Sequence, residues 1–419
     1  MREKLYVLLC GLCFIYGAVA QAAEPSQKDW TLLVYLNGDN NLDSFGTTNL
    51  EQMETVGSTD HLNIVVQWAS LQNGKTQRLL VQKSTNPSSV TSPVLQDMGV
   101  VDMGDWHTLE SFIEWGAKNF PAKHYFVDVW DHGSGWHAIQ IENSAVRPGH
   151  RYHPTDISWD DNSGNSITTQ QLGQAIAQAS QAIGQKIDIY GSDACLMGMV
   201  EVAGELRDSV SYFLGSQEVE PGAGWPYDAF LRRWTAQPDL TAAQIATALA
   251  EEYGKSYTDG SSGGSSATMA VYDLSQQDQI ENAIANLKAS ILKLDASDLA
   301  KVTAAASSTQ SFAYRDYGDL HDFVTRIGSA STRGVAPTDI EGVLTAFQNY
   351  VVSNDVTPNF NGLANGVSIW LPKNQGEFAD YSSNYEAMAF EGRTGWSQAL
   401  KQMYNGSSGG SVPHILFMP

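Results

Sequence analysis

Apolar and polar positions in this chain follow two rhythms. Residues 30–37 (WTLLVYLN) are a nearly continuous apolar run ending in Asn-Gly-Asp, and residues 62–69 (LNIVVQWA) are a second. Runs of this length closed by turn residues predict strands buried on both faces. Residues 125–130 (YFVDVW) and 186–190 (KIDIY) predict two more, 268–272 (TMAVY) a fifth, and 366–371 (GVSIWL) a sixth that Pro372 stops. Residues 77–83 alternate, as a hairpin or edge strand does. Between these runs the period lengthens to that of a helix. Residues 108–119, 168–183, 196–206, 242–257, 281–292 and 340–352 carry apolar positions three and four apart. A weak cap signal, Thr108-x-x-Ser111, opens the first of these, and a Gly/Ser-rich loop covers 260–266. Strands alternating with helices predict an α/β fold with a mainly parallel sheet covered on both faces. No repeat of fixed period interrupts this order.

The ends read differently. Arg2 and Lys4 precede an apolar run from 5 to 16 and small residues around Ala20 and Ala22. The run is too short to span a bilayer, so 1–22 is expected to be a cleaved secretory signal rather than an anchor. Residues 23–404 are then one domain and 405–419, with Gly and Ser at 406–411, a mobile tail. Cleavage would remove Cys10 and Cys13 and leave Cys195 as the single thiol, unable to form an internal disulfide. The expected location is secreted or periplasmic. A formal net charge of −22 repels nucleic acid and anionic membrane, so neither is an expected partner.

Two short motifs follow two of the predicted parallel strands. One is Trp130-Asp131-His132-Gly133-Ser134-Gly135-Trp136; the other is Tyr190-Gly191-Ser192-Asp193-Ala194-Cys195. Sites in open α/β sheets form beyond the carboxyl ends of strands. Independent elements therefore deliver an imidazole and a thiol to one edge, as a nucleophile and its base require. Cys195 is expected to open a helix, whose N-terminus would favour the thiolate. The Gly133 and Cys195 N–H groups are placed to hold an oxyanion. Taken bare, a buried histidine and a buried cysteine in a core are the commoner reading of such a pair.

Seven segments change that balance: WTLLVYLNGDNNLD (30–43), MGDWHTLESFIEW (103–115), YFVDVWDHGSGW (125–136), ISWDD (157–161), DIYGSDACLMGMVEVAGEL (188–206), SQEVEPGAGWPYD (216–228) and GVSIWLP (366–372). In this order they resemble the clostripain family of the caspase–gingipain–legumain clan. The resemblance implies a caspase-like three-layer α/β sandwich with a mainly parallel central sheet. It implies peptide-bond cleavage by His132 and Cys195, commonly after Arg or Lys, with protein or peptide substrates as partners. Asp193 matches one acidic position of the substrate pocket. The second falls on Ala223, which carries no charge, and Trp225 follows it in the same segment. Some members cut their own chain between His and Cys; here Arg151 is the expected site, because Pro148 blocks cleavage after Arg147.

Other signals are weaker. Asp39-Asn40-Asn41-Leu42-Asp43 begins like a calcium loop but has Ser44 and Leu50 where Gly and Glu are needed. Asp39 is expected instead to cap a helix. Several relatives use calcium, which leaves calcium as an open cofactor and no other metal expected. His150 and His153 lack partners for a zinc set. Trp130, Trp136 and Trp225 are expected to wall a cleft rather than stack on sugar. Two rival classes stay open at this point. One is an inactive peptidase-like binding protein; the other is a carbohydrate hydrolase with paired carboxylates, of which no clear pair stands out.

Overall fold

The computed structural model describes residues 27–86, 88–137, 156–330 and 332–405. The signal region, Arg151, His150, His153 and the tail past Asn405 lie outside them. Strands β1 (Lys28–Gly38), β2 (Leu62–Ser70), β3 (Lys75–Leu80), β4 (Val94–Gly99) and β5 (Ala122–Trp130) occupy the first third. A small hairpin of β6 (Ile157–Asp160) and β7 (Asn165–Ile167) precedes β8 (Ile187–Asp193), β9 (Val210–Gly215) and β10 (Thr268–Asp273). The last three strands of the described residues are β11 (Tyr317–Asp319), β12 (Val351–Val356) and β13 (Ser368–Trp370).

Among the described residues nine strands form one sheet in the order β12-β10-β9-β8-β5-β1-β2-β3-β4. The five central strands, β9 to β2, run parallel, and antiparallel strands extend both edges. From Trp30 onward every residue of β1 is buried, as a central parallel strand requires. Helices α1 (Asp43–Glu54), α2 (Trp106–Asn119), α3 (Thr169–Ile183), α4 (Val200–Leu206), α5 (Tyr227–Thr235), α6 (Ala242–Thr258) and α7 (Gln277–Ile291) cover the sheet. Alternate residues sort onto its faces. Leu33, Tyr35 and Val127 enter a core with Leu109, Ile176 and Ile284, from α2, α3 and α7. Leu32, Val34 and Phe126 enter the opposite core with Leu50, Phe230 and Leu249, from α1, α5 and α6. The result is the expected three-layer α/β sandwich.

The strand order places the site. From β1 the chain moves to β2 on one side, and from β5 it moves to β8 and β9 on the other. The order reverses between β1 and β5, where open α/β sheets form their crevice.

Two local expectations fail. The helix expected over 196–206 begins only at Val200. Leu196 is held at φ 64°, a left-handed conformation that costs an ordinary residue about 1–2 kcal/mol and cannot start a helix. The Leu196 N–H donates to Glu218 O (3.1 Å) and the Gly198 N–H to Ser216 O (2.8 Å), so this stretch lies along 216–218 instead. The cap of α2 is Asp105, whose carboxylate accepts from the His107 N–H, not Thr108.

Candidate active site

Register explains why the loops that carry His132 and Cys195 meet. Trp130, the last residue of β5, pairs with Asp193, the last of β8. His132 and Cys195 each stand two residues beyond their member of that pair. The Asp131 N–H carries the ladder one step further by donating to Asp193 O (3.2 Å). Beyond it the two loops touch. A Cβ at Gly133 would lie 2.6 Å from Cys195 O and 3.2 Å from Cys195 N, so only glycine permits this approach. The Ser158 N–H donates to His132 O and the Ser134 N–H to Asp156 O, an antiparallel bridge that leaves the Gly133 N–H out of its bonds. Cys195 sits in a turn, five residues before α4, and not at a helix N-terminus.

The turn after β1 supplies the third side of the site. The Asn37 and Asn40 amides donate to the buried Asp131 carboxylate at 2.9 and 2.7 Å, lashing the β1 and β5 turns together. Next to them, Asn41 Oδ1 lies 2.7 Å from His132 Nε2. An amide oxygen only accepts, so this contact selects the tautomer with the proton on Nε2 and the basic lone pair on Nδ1. Asn41 was not singled out from the sequence. Its place just past a central strand, at the edge shared with His132, is the signal that marks it. Asp39 does not cap α1; it accepts from the Asn162 amide (2.6 Å), and the helix starts after Leu42 without a side-chain cap.

Burial sets the charges. It lowers the pKa of His132 to about 4, against a smaller raising effect from Asp161. Burial likewise pushes the Cys195 thiol up to about 12, with Glu220, Glu218 and Asp193 adding repulsion. The Glu220 N–H opposes this by donating to Cys195 Sγ at 3.2 Å. At neutral pH the resting pair is thus a neutral thiol and a neutral imidazole.

Behind the thiol lies a nest of carboxyl groups. Asp193 is 4% exposed. Its Oδ2 accepts from the Trp225 N–H (3.1 Å) and the Tyr227 hydroxyl (2.9 Å). The same hydroxyl reaches Asp128 Oδ2 at 2.6 Å. One hydroxyl has one proton, so two carboxylates around it require a further proton between them. Burial accordingly holds Asp193 up near 7 and drives Asp128 well above the ordinary carboxylate range, with repulsion from Asp193 added. Gly224, at φ +62°, brings its backbone against Asp193, where a Cβ would lie 3.0 Å from Oδ2. Ala223 is half-buried at the rim; its carbonyl accepts from the Asn49 amide (3.0 Å). Trp130, Trp136 and Trp225 do not wall a cleft: all three are buried in the cores. Among the described residues no group of three or more carboxylate, imidazole or thiol side chains is arranged to hold a metal ion.

The clostripain family profile matches residues 34–403. Clostripain of Hathewaya histolytica is 23% identical, over 87% of this chain and 79% of that protein. Among solved structures, a secreted C11 cysteine protease from Bacteroides thetaiotaomicron in complex with an irreversible peptide inhibitor superposes with TM-score 0.66 at 20% identity, over 88% of this chain and 99% of that one. An inactive zymogen C11 protease from Parabacteroides distasonis superposes with the same score at 19% identity, over 88% and 99% of the two chains.

Proposed function

The chain belongs to the clostripain family of cysteine peptidases, and on that premise we propose that it hydrolyses peptide bonds with Cys195 as nucleophile and His132 as its acid–base partner. The convergence of the two loops beyond the paired Trp130 and Asp193 carries this reading. His132 Nδ1 takes the thiol proton as Sγ attacks the scissile carbonyl. The Gly133 and Cys195 N–H groups receive the oxyanion. The C–N bond breaks as the imidazolium protonates the leaving amine, and water then hydrolyses the thioester with His132 again as base. Asn41 is a positioning residue that holds the imidazole in the useful tautomer.

The substrate side of the reading is finer. A carboxylate at the base of a closed pocket discriminates for a cation, because leaving either charge unpaired is costly. Asp193 supports basic residues before the scissile bond, with Ala223 and Trp225 in the segment it holds. Export of the mature chain from near Ala23, and self-cleavage after Arg151, belong to the same proposal. The support for export is the signal-like leader, and no helix among the described residues is long and apolar enough to cross a membrane. A peptide library profiled for the residue before each cut tests the specificity: enrichment of Arg and Lys is expected, and its absence rejects the basic pocket.

The rival binding-protein reading draws no support from the site, where the loops that carry the imidazole and the thiol converge. Cys195→Ala decides between them, since a binding protein would bind peptide and turn over none in either form.

A further inference from the structure

The loop that carries His132 is held by groups far along the chain. A trans peptide is a plane with its C=O and N–H on opposite sides. The bond from the Ser158 N–H to His132 O (3.2 Å) therefore turns the Gly133 N–H, across the same peptide, away from Ser158. The peptides that follow are fastened in turn. The Ser134 N–H donates to Asp156 O (2.9 Å), the Tyr317 hydroxyl to Ser134 O (2.7 Å) and the Thr169 hydroxyl to Gly135 O (3.2 Å). The same Tyr317 oxygen accepts from the His137 N–H at 3.3 Å. One fully buried hydroxyl thus uses its proton and a lone pair to fix two peptides of one tight turn. Burial, with Asp316 and Tyr314 adding repulsion, raises its pKa well above the ordinary tyrosine value, so it stays a donor. Gly135, at φ +72°, lets the turn close on the ring: a Cβ there would lie 2.6 Å from Tyr317 Cε2 and 2.7 Å from Met199 Sδ. Beside it, His137 Nε2 lies 2.8 Å from Asp316 Oδ2, which also accepts from the Trp370 indole N–H (3.0 Å).

Tyr317 belongs to β11, which forms a separate two-stranded sheet with β13. That sheet also reaches the thiol loop. The Ser368 N–H of β13 donates to Gly198 O (2.9 Å), just past Cys195. Gln217, on the segment whose Glu220 N–H meets Cys195 Sγ, donates its amide to Asp319 Oδ2 (3.1 Å) and Ser368 Oγ (3.3 Å). The parallel ladder of β5 and β8 stops one step beyond Trp130 and Asp193, before either reacting residue. Past that point β11–β13 is bonded to both loops at once.

Building on the peptidase reading above, we infer that β11–β13 sets the imidazole loop against the thiol loop, and that Tyr317 is the positioning residue whose hydroxyl keeps the Gly133 N–H aimed at the oxyanion. Being fully buried, Tyr317 acts through the loop and not on the substrate. The bonds at His132 O and Ser134 O fix the two ends of a short span, and the Gly133 N–H lies inside it. Without the hydroxyl, Ser134 O loses its donor, and a turn with glycine at 133 and 135 has little stiffness of its own to hold the N–H in place.

The test uses the whole enzyme and Tyr317→Phe, which removes the hydroxyl and keeps the ring. Peptide turnover is compared with modification of Cys195 by methyl methanethiosulfonate, a thiol reagent that reacts at sulfur and builds no oxyanion on carbon. A slackened oxyanion hole should lower kcat by about 10–100-fold, the effect of a misplacement of about 1 Å, with KM and the rate of thiol modification little changed. Undiminished kcat in Tyr317→Phe overturns the inference while peptidase function stands. So does an equal loss of turnover and of thiol modification, because the hydroxyl would then support the whole site and not the oxyanion donor. Thr169→Val removes the other hydroxyl that holds this turn, and it carries the test if Tyr317→Phe does not fold. The same split between turnover and thiol modification is expected there, and wild-type turnover again overturns the inference. A wild type that turns over no peptide removes the peptidase reading itself, and this inference with it.

Discussion

At the scale of single residues the account makes His132 and Cys195 an uncharged pair at rest. Cys195→Ala should abolish peptide hydrolysis in a protein that still folds, and His132→Ala should slow it by about 10²–10⁴-fold. The acid limb of kcat/KM follows from the lowered pKa of His132. The base works only when neutral; burial shifts its protonation down from 6.5 to about 4. Activity on a substrate with a neutral residue before the cut should therefore persist through pH 6 and fall only as pH approaches about 4. An acid limb near 6.5 would contradict the desolvation of this half-buried imidazole. Asn41→Asp offers a finer check, because a carboxylate beside Nε2 stabilises the imidazolium and should move that limb upward. Asn41→Ala should instead lower kcat by about 10–100-fold through misplacement of the ring. A pH limb unmoved by the Asp variant would mean that the Asn41 contact has no part in orienting His132.

At the scale of elements the site depends on two loops packed backbone to backbone. Gly133→Ala forces a Cβ to 2.6 Å from Cys195 O. Overpacking of this kind costs about 1–3 kcal/mol, so a lowered denaturation midpoint is expected together with loss of activity. A variant as stable and active as wild type would refute the close approach. The strands that carry these loops were legible in the chain, because central parallel strands are unbroken apolar runs: β1, β2, β5 and β8 all declare themselves. Less legible was β9, where Val210–Gly215 is short and follows α4 at once. The start of α4 was misread because periodicity in 196–206 takes no account of a left-handed Leu196 or of pairing to 216–218. Such pairing is tertiary and leaves no mark on local spacing. His132 and Cys195 were singled out by their position after strands together with the resemblance of the segments around them. Asn41 was missed because its contact with His132 appears only when distant turns are brought together, and the three tryptophans were misread because a strand-end aromatic can face either cleft or core.

At the scale of the whole molecule, the sheet order brings the turns that follow β1, β5 and β8 to one edge, and the segment joining His132 to Cys195 holds Arg151. If the enzyme cuts itself there, purified wild type should resolve into two fragments on a denaturing gel while Cys195→Ala and Arg151→Ala remain single chains. A Cys195→Ala protein that still splits would assign the cut to another protease. Calcium is tested by chelation: full activity after exhaustive removal rules out dependence. The most direct measurement of the central claim is mass spectrometry of the intact enzyme inactivated by an irreversible thiol-directed peptide inhibitor. The account predicts one adduct per chain, on Cys195, in proportion to activity lost and absent in Cys195→Ala. Complete inactivation with the adduct on any other residue, or full labelling of Cys195 with activity retained, would contradict it.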